Sequence, residues 1–189
     1  MSPSASKLFV ISGPSGAGKG TLVNLVRKRL PRLGLTVSAT TRSPRPGEVE
    51  GVSYHFLDQA EFDRRVEAGE FLEWARVHDH CYGTLMSEVR GKLAAGSSLI
   101  LEIDVQGALQ VKERIPEAVL IFVKPPSLEV LRKRLVGRNT ETEDSIALRM
   151  SNASHELELA DRYDEVIVND DLESACDELV SIILTHERS

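Results

Sequence analysis

Only two cysteines, Cys81 and Cys176, occur in 189 residues, far apart and without a Cys-x-x-Cys spacing. That scarcity argues against a disulfide framework and a zinc site, and it suits a reducing cytosol. Long apolar runs are missing as well. The first, Leu8–Ile11, is too short for a signal-peptide core, and no later run approaches the roughly 20 residues of a membrane span. A cytoplasmic location with no membrane partner is expected. Positive charge is in deficit, with 23 basic against 29 acidic residues and a formal charge of −6, so long nucleic acids would be repelled. A small anion needs only a local basic pocket. Internal repeats are absent, as is any low-complexity tail beyond the first six residues.

What is present is enough apolar material, 41% of the residues, for a single core, and one folding unit is expected over 1–189. Apolar runs rich in β-branched residues recur at Lys7–Ser12, Leu35–Ala39, Ser98–Ile103, Val119–Val123 and Glu165–Val168, with helix-like segments between most of them. This alternation predicts an α/β fold with a mostly parallel sheet flanked by helices. Between the second and third runs, Thr40–Gly96 is richer in Arg, Gly, Pro and aromatic residues and reads as an inserted lobe. A second irregular stretch, Gly137–Asp144, precedes a helix with the apolar stripe Ile146, Met150, Ala153, Leu157, Ala160. Thr140 and Glu143 have capping-box spacing for that helix start.

Directly after the first strand stands Gly13-Pro14-Ser15-Gly16-Ala17-Gly18-Lys19-Gly20-Thr21, followed by the helical pattern Leu22–Leu30. It matches the Gly-xxxx-Gly-Lys part of the P-loop signature. Glycines let successive amides turn inward as an anion nest, the helix presents its positive end, and Lys19 reaches the outer phosphates. A nucleotide polyphosphate is the expected ligand. A plain strand-to-helix turn is the blander reading, disfavoured by the strand before and the helix after. The signature places Ser or Thr after the lysine, where this chain has Gly20 and then Thr21. Either Thr21 takes over the metal contact, or the metal is held mainly by nucleotide and water.

The acceptor must come from the rest of the chain. Ser38-Ala39-Thr40-Thr41-Arg42-Ser43-Pro44-Arg45-Pro46-Gly47-Glu48 leads into Gly51-Val52-Ser53-Tyr54-His55-Phe56, followed later by Glu73-Trp74-Ala75 and Tyr82-Gly83-Thr84. With the P-loop, the Ile103-Asp104-Val105-Gln106-Gly107 stretch and the Gly137-Arg138-Asn139-Thr140-Glu141-Thr142 segment, these resemble guanylate kinases over nearly the whole chain. The resemblance implies a P-loop nucleoside-monophosphate-kinase fold: a core of 7–36, 97–130 and 164–189, a GMP-binding lobe of 37–96 and a lid of 131–163. It also implies ATP as co-substrate, GMP as acceptor and Mg²⁺ bridging the ATP phosphates, and a homo-oligomer stays open.

Residue roles follow from the same resemblance. Glu73 matches the carboxylate that accepts guanine's two adjacent N–H donors, a bidentate pairing. Ser38 and Thr84 match hydroxyls facing the guanine edge. Arg42, Arg45, Tyr54 and Tyr82 match the ligands of the acceptor phosphate. Asp104 would complete the base end of the pocket, and Glu102 would lie near the junction of nucleotide and metal. Arg138 and Arg149 match arginines that close over the phosphates, so Lys19, Arg42, Arg138 and Arg149 form the expected catalytic set. Asn169, in the loop Val168–Asp171, matches a residue on the ATP side. His78 and His80 are expected to be surface or packing residues.

Taken singly, most of these residues have an ordinary explanation, such as a half-buried strand for Tyr54 and Phe56 or a solvated charge for Glu73. Their joint order favours the GMP pocket. Two competitors stand: a kinase of the same scaffold with a sugar phosphate or another nucleoside monophosphate as acceptor, and a guanylate-kinase-like scaffold domain without catalysis. The triad of Ser38, Glu73 and Thr84 argues against the first, and the intact Lys19 against the second.

Overall fold

From the N-terminus, strand β1 (Leu8–Ser12) leads through the glycine-rich loop into helix α1 (Lys19–Arg29) and the short β2 (Gly34–Leu35). The chain then builds β3 (Ala39–Thr40), β4 (His55–Phe56), α2 (Gln59–Glu67), β5 (Phe71–Val77), β6 (His80–Leu85) and α3 (Met86–Ala94). It continues with β7 (Leu99–Glu102), α4 (Val105–Arg114), β8 (Val119–Lys124), α5 (Leu128–Val136) and α6 (Glu143–Glu158). A 3-10 turn at Ala160–Arg162, β9 (Glu165–Val168) and α7 (Leu172–His186) complete it. This computed structural model describes residues 6–77, 79–136 and 143–188.

The main sheet has the order β2-β7-β1-β8-β9, with every pairing parallel. Helices cover both faces, so its strands read as continuous apolar runs rather than alternating ones. Within β1 the alternation survives in which layer each side chain joins. Phe9 and Ile11 pack with Leu22, Val23 and Val26 of α1 and Cys176, Leu179 and Ile183 of α7. Leu8 and Val10 pack with Val89 of α3 and Val105, Ala108 and Val111 of α4. Each large side chain so buried contributes about 1.5–3 kcal/mol. The α/β architecture expected from the alternation of runs is the one observed.

A second sheet, β4-β3-β6-β5, is formed between β2 and β7 in sequence. Its β3–β6 and β5–β6 pairs are antiparallel and its β3–β4 pair is parallel. It packs over its own small core of Ala39, Phe62, Phe71, Cys81 and Leu85. Cys81 is thus buried in one core and Cys176 in another, both as free thiols.

One expected strand is corrected here. The apolar run Leu35–Ala39 is not continuous: Gly34–Leu35 lies along β7 in the main sheet, while Ala39 pairs with Gly83 and His55 in the second. The chain can leave one sheet for the other because its freed backbone groups find partners. Lys92 Nζ donates to the Leu35 carbonyl at 2.7 Å, and the His55 amide donates to the Ser38 carbonyl at 2.9 Å. The helix expected from the stripe Ile146–Ala160 is α6, although Ala160 itself falls in the 3-10 turn. Thr140 of the expected capping box lies outside the described residues.

A candidate site for two nucleotides

The C-terminal ends of the parallel strands β1 and β7 are neighbours, with Ile11 opposite Glu102. In open α/β sheets this edge is where ligands bind. Gly13, immediately after β1, has φ 135°, and a Cβ there would lie 2.1 Å from the Val123 carbonyl oxygen, so only glycine fits. Gly18 also has positive φ, and a Cβ on it would approach Asn169 Nδ2 to 2.5 Å. That amide donates to the Ala17 carbonyl at 2.8 Å, and Arg134 donates to the Asn169 carbonyl at 2.9 Å. Asn169 is therefore buried against the loop as a brace. Its side chain is engaged with the loop backbone.

Lys19 Nζ folds back on the same loop, donating to the carbonyls of Gly13 at 2.6 Å and Pro14 at 3.1 Å. Burial lowers its pKa, and Glu102, Glu156 and Asp104 oppose that shift. A cleft of about 300 Å³ opens over the loop, lined by Ser15, Gly16, Gly18, Lys19, Gly20, Thr21 and Glu102. A Cβ on Gly20 would stand 3.5 and 3.6 Å from the two Glu102 carboxylate oxygens. Where the signature has a hydroxyl, this chain therefore brings up a carboxylate. Part of Glu102 is open to the cleft, yet its surroundings are dense enough that burial pushes its pKa up, against the pull of Lys19.

The second cleft, about 190 Å³, is lined by Ser38, Tyr54, Glu73, Tyr82, Glu102 and Asp104 among others. Glu73 and Thr84 face each other across β5 and β6, next to an irregularity between Phe71 and Glu73. Glu73 is only 6% exposed, and burial pushes its carboxyl up to about 7; Thr84 pulls the other way and Asp104 adds to the rise. Among the described residues the buried Thr84 hydroxyl, although beside Glu73, has no well-formed hydrogen-bond partner. A buried carboxylate beside an unsatisfied hydroxyl is a costly arrangement that a ligand with complementary donors and acceptors would relieve. Asp104 caps α4, accepting from the Gly107 amide at 2.7 Å.

At the outer rim of this cleft, Arg42 donates to both carboxylate oxygens of Glu48, at 3.0 and 2.8 Å, and to the Ser43 carbonyl at 2.7 Å. Its guanidinium carbon lies 5.4 Å from the centre of the Tyr54 ring, and the Tyr54 and Tyr82 rings meet nearly edge-on at 6.2 Å. Glu48 also accepts from the Arg45 amide at 2.7 Å, while the Arg45 side chain is exposed. The Arg42 guanidinium holds the Glu48 carboxyl below its usual range. Three of the five donors of Arg42 are spent, which leaves Nε–H and one Nη2 hydrogen for an anion.

Arg149 is half-buried on α6, and Thr21 is exposed on the first turn of α1. Arg138 and His78 lie outside the described residues. Two acidic groups escaped the sequence reading. For Glu48 the signal in the sequence is Gly47, whose φ of 88° turns the chain so that residue 48 meets residue 42. Glu156 sits at helical spacing seven residues after Arg149, the same face two turns on.

Comparison with known proteins gives the family. The family model for guanylate kinase matches residues 5–186. Guanylate kinases from Fusobacterium nucleatum and Nocardia farcinica are 52% and 50% identical to the chain, each over 95% of its length, covering 97% and 94% of theirs. The crystal structure of guanylate kinase from Anaplasma phagocytophilum superposes with a TM-score of 0.76 at 33% identity, covering 98% of this chain and 88% of that one. Shikimate kinase from Bacteroides thetaiotaomicron, at 13% identity and a TM-score of 0.51, shares the fold alone. On the matched family model and these identities, the chain belongs to the guanylate kinase family.

Proposed function

We propose that the two clefts hold the donor and the acceptor of one phosphoryl transfer, ATP over the glycine-rich loop and GMP between the two sheets. The reaction class is that of the family: the chain phosphorylates GMP to GDP with ATP as co-substrate. The observation that carries the assignment of sites is that Glu102 lines both clefts, so the ends of two bound nucleotides meet at one wall.

No general base is required, because the attacking oxygen of the acceptor phosphate is already an anion. Catalysis then consists of in-line positioning and stabilisation of charge on the transferring group. Lys19, amid the loop amides, neutralises the outer phosphates of ATP. Arg42 offers its two spare N–H groups, and with Arg45, Tyr54 and Tyr82 it holds the acceptor phosphate. Glu73, Ser38, Thr84 and Asp104 read the base. Arg149 and Arg138 are assigned, by the family resemblance, to the charge on the transferring group. The loop residues Gly13 to Thr21 and the braced Asn169 shape the ATP side, and dGMP is an expected second acceptor.

The donor set on the ATP side fits a hard divalent cation such as Mg²⁺. A carboxylate replaces the loop hydroxyl, Thr21 stands nearby, and no three acidic, His or Cys groups among the described residues converge as a cage. Such an ion would be held by nucleotide and water with Glu102 and Thr21 beside it, and it would neutralise charge on the phosphates.

Release of ADP, measured with ATP and each of GMP, dGMP, AMP, CMP and UMP, tests the reading. GMP and dGMP should be used, and AMP should be poorer by about 10⁴-fold, since it leaves the buried groups of the base pocket unpaired. Comparable turnover with AMP would overturn the assignment of the second cleft.

A further inference from the structure

We propose that Glu48 is a positioning residue for the acceptor phosphate: its carboxylate locks the Arg42 guanidinium so that the edge bearing Nε–H is presented to the phosphate as a two-pronged donor. The inference rests on the role given above to Arg42. It starts from the sequence Arg45-Pro46-Gly47-Glu48, which has the pattern of a type II turn, with proline second and a glycine of positive φ third. The Glu48 amide closes that turn on the Arg45 carbonyl at 3.0 Å. A Cβ on Gly47 would meet nothing within 4 Å, so the glycine serves the bend of the chain and not a lack of space.

The turn brings the Glu48 side chain back along the loop. One of its oxygens accepts from the Arg45 amide at 2.7 Å and from Arg42 Nη1 at 3.0 Å, and the other accepts from Arg42 Nη2 at 2.8 Å. Carboxylate and guanidinium thus meet fork to fork, the geometry that fixes orientation as well as charge. The two side chains are 22% and 12% exposed, so the pair is sheltered, unlike the solvated surface pairs that hold little in place. Arg45, on the same turn, gives the contrast: Glu48 holds its backbone, and its side chain is exposed.

Three further contacts restrict Arg42. The second Nη1 hydrogen goes to the Ser43 carbonyl at 2.7 Å, and the Tyr54 ring lies against the guanidinium with its centre 5.4 Å from the central carbon. The Arg42 amide donates to the Thr40 hydroxyl at 3.2 Å, and that buried hydroxyl donates to the Cys81 carbonyl at 3.0 Å, which ties the root of the side chain to β6. What is left is Nε–H and one Nη2 hydrogen, which share one edge of the planar guanidinium and run parallel. Two parallel donors match two oxygens of a phosphate monoester. Tyr54, against the guanidinium, and Tyr82, against Tyr54, both line the cleft, so the locked group stands at its wall.

Charge alone would give Glu48 the opposite effect. A carboxylate beside the phosphate site repels a dianion, so removing it should strengthen binding if Glu48 did no more than neutralise Arg42. Orientation acts the other way. An arginine released from Glu48 can offer its end fork, its side fork or a single N–H, and ordering it on the ligand costs affinity. The repulsion is screened at the rim of a cleft open to water, whereas a misaligned fork loses a charge-assisted bond outright, so orientation should prevail.

The test separates phosphate from base. Calorimetry on the full chain gives affinities for GMP and for guanosine, and their ratio isolates the phosphate contacts. In Glu48→Gln, whose amide oxygen can still accept from the Arg45 amide, GMP should bind about tenfold more weakly, while guanosine affinity and the KM for ATP keep the parent values. Glu48→Asp keeps the charge but draws it back by one methylene, so it should weaken GMP in the same way; if the glutamine form folds poorly, the same criteria apply to it. In an Arg42→Lys background, where there is no fork to orient, Glu48→Gln should no longer weaken GMP. GMP bound by Glu48→Gln as tightly as by the parent, or more tightly, overturns the inference. So does a guanosine affinity that falls in step with that for GMP, or a loss that persists in the Arg42→Lys background. Arg42→Lys by itself tests the role on which this rests: if its ratio of GMP to guanosine affinity is unchanged, the role of Arg42 fails and this inference with it. If that ratio collapses while Glu48→Gln leaves it at the parent value, this inference alone is lost.

Discussion

Glu73 shows how a single buried carboxylate can carry both a specificity and a cost. With its carboxyl pushed up to about 7 by burial, the folded unliganded chain holds a proton there across a range in which the unfolded chain, near 4.5, has released it. Between those values the native state binds more protons than the unfolded one, so this group makes stability fall as pH rises from about 4.5 to 7. Above pH 7 the cost is on the order of 3 kcal/mol or less. Guanine's two N–H donors call for the ionised form. Guanosine, which lacks a titrating phosphate, should therefore bind with release of a proton near pH 7, and its affinity should drop about tenfold per unit at lower pH. Calorimetry in two buffers of different ionisation enthalpy measures both. Glu73→Gln should cost about a hundredfold in efficiency with GMP, because one acceptor becomes a donor facing a donor, while raising Tm at pH 8. A lower Tm for that variant, or GMP efficiency within threefold of the parent, would mean that Glu73 neither bears the burial cost nor meets the base.

At the scale of elements, the phosphate loop is held by what lies under it rather than by its own sequence alone. Asn169 donates to the Ala17 carbonyl from the far end of β9, so Asn169→Ala leaves that carbonyl without its partner. A loss of about 1–2 kcal/mol in stability is expected, together with a KM for ATP raised about tenfold and an unchanged affinity for guanosine. Urea unfolding and steady-state kinetics read these outcomes, and a loss of guanosine affinity equal to that of ATP would show a global defect instead of a local one. The loop itself was legible in the sequence because its meaning is local: glycines and a lysine at fixed offsets, between a strand and a helix. The run Leu35–Ala39 was not, since an apolar stretch looks the same whether it stays in one sheet or crosses to another. What decides it are the distant partners of Leu35 and Ser38, namely Lys92 and His55. Glu48 was hidden for a similar reason: a charged residue in a loop acquires a role only when tertiary packing brings it to Arg42.

For the molecule as a whole, the two clefts are the parts of a site not yet brought together. Each is open on one side, and the charged groups that must act on one phosphoryl group come from α1, from the loop after β3 and from α6, which belong to different packing clusters. Transfer to GMP rather than to water requires that solvent be excluded while these charges converge. Arg42, moreover, now points its end-on fork at Glu48, and its spare donors become useful only against a phosphate delivered from the side of Lys19. The lobe sheet joins the main sheet through two connections, the crossing at Leu35–Ala39 and the return through α3, and its strand β5 also rests on α4, where Leu72 packs with Ala108 and Val111. Binding both nucleotides should therefore draw the lobe toward the core, with little change on binding either alone, since one ligand cannot supply contacts to both sides. A compact chain of this length has a radius of gyration of about 16 Å. Solution X-ray scattering with a bisubstrate analogue that links adenosine to guanosine through phosphates should show that radius falling by several per cent. An unchanged radius with the analogue bound would mean that the clefts are already in their reacting arrangement, and that water is excluded by side chains of the lobe and α6 without any movement of the sheets.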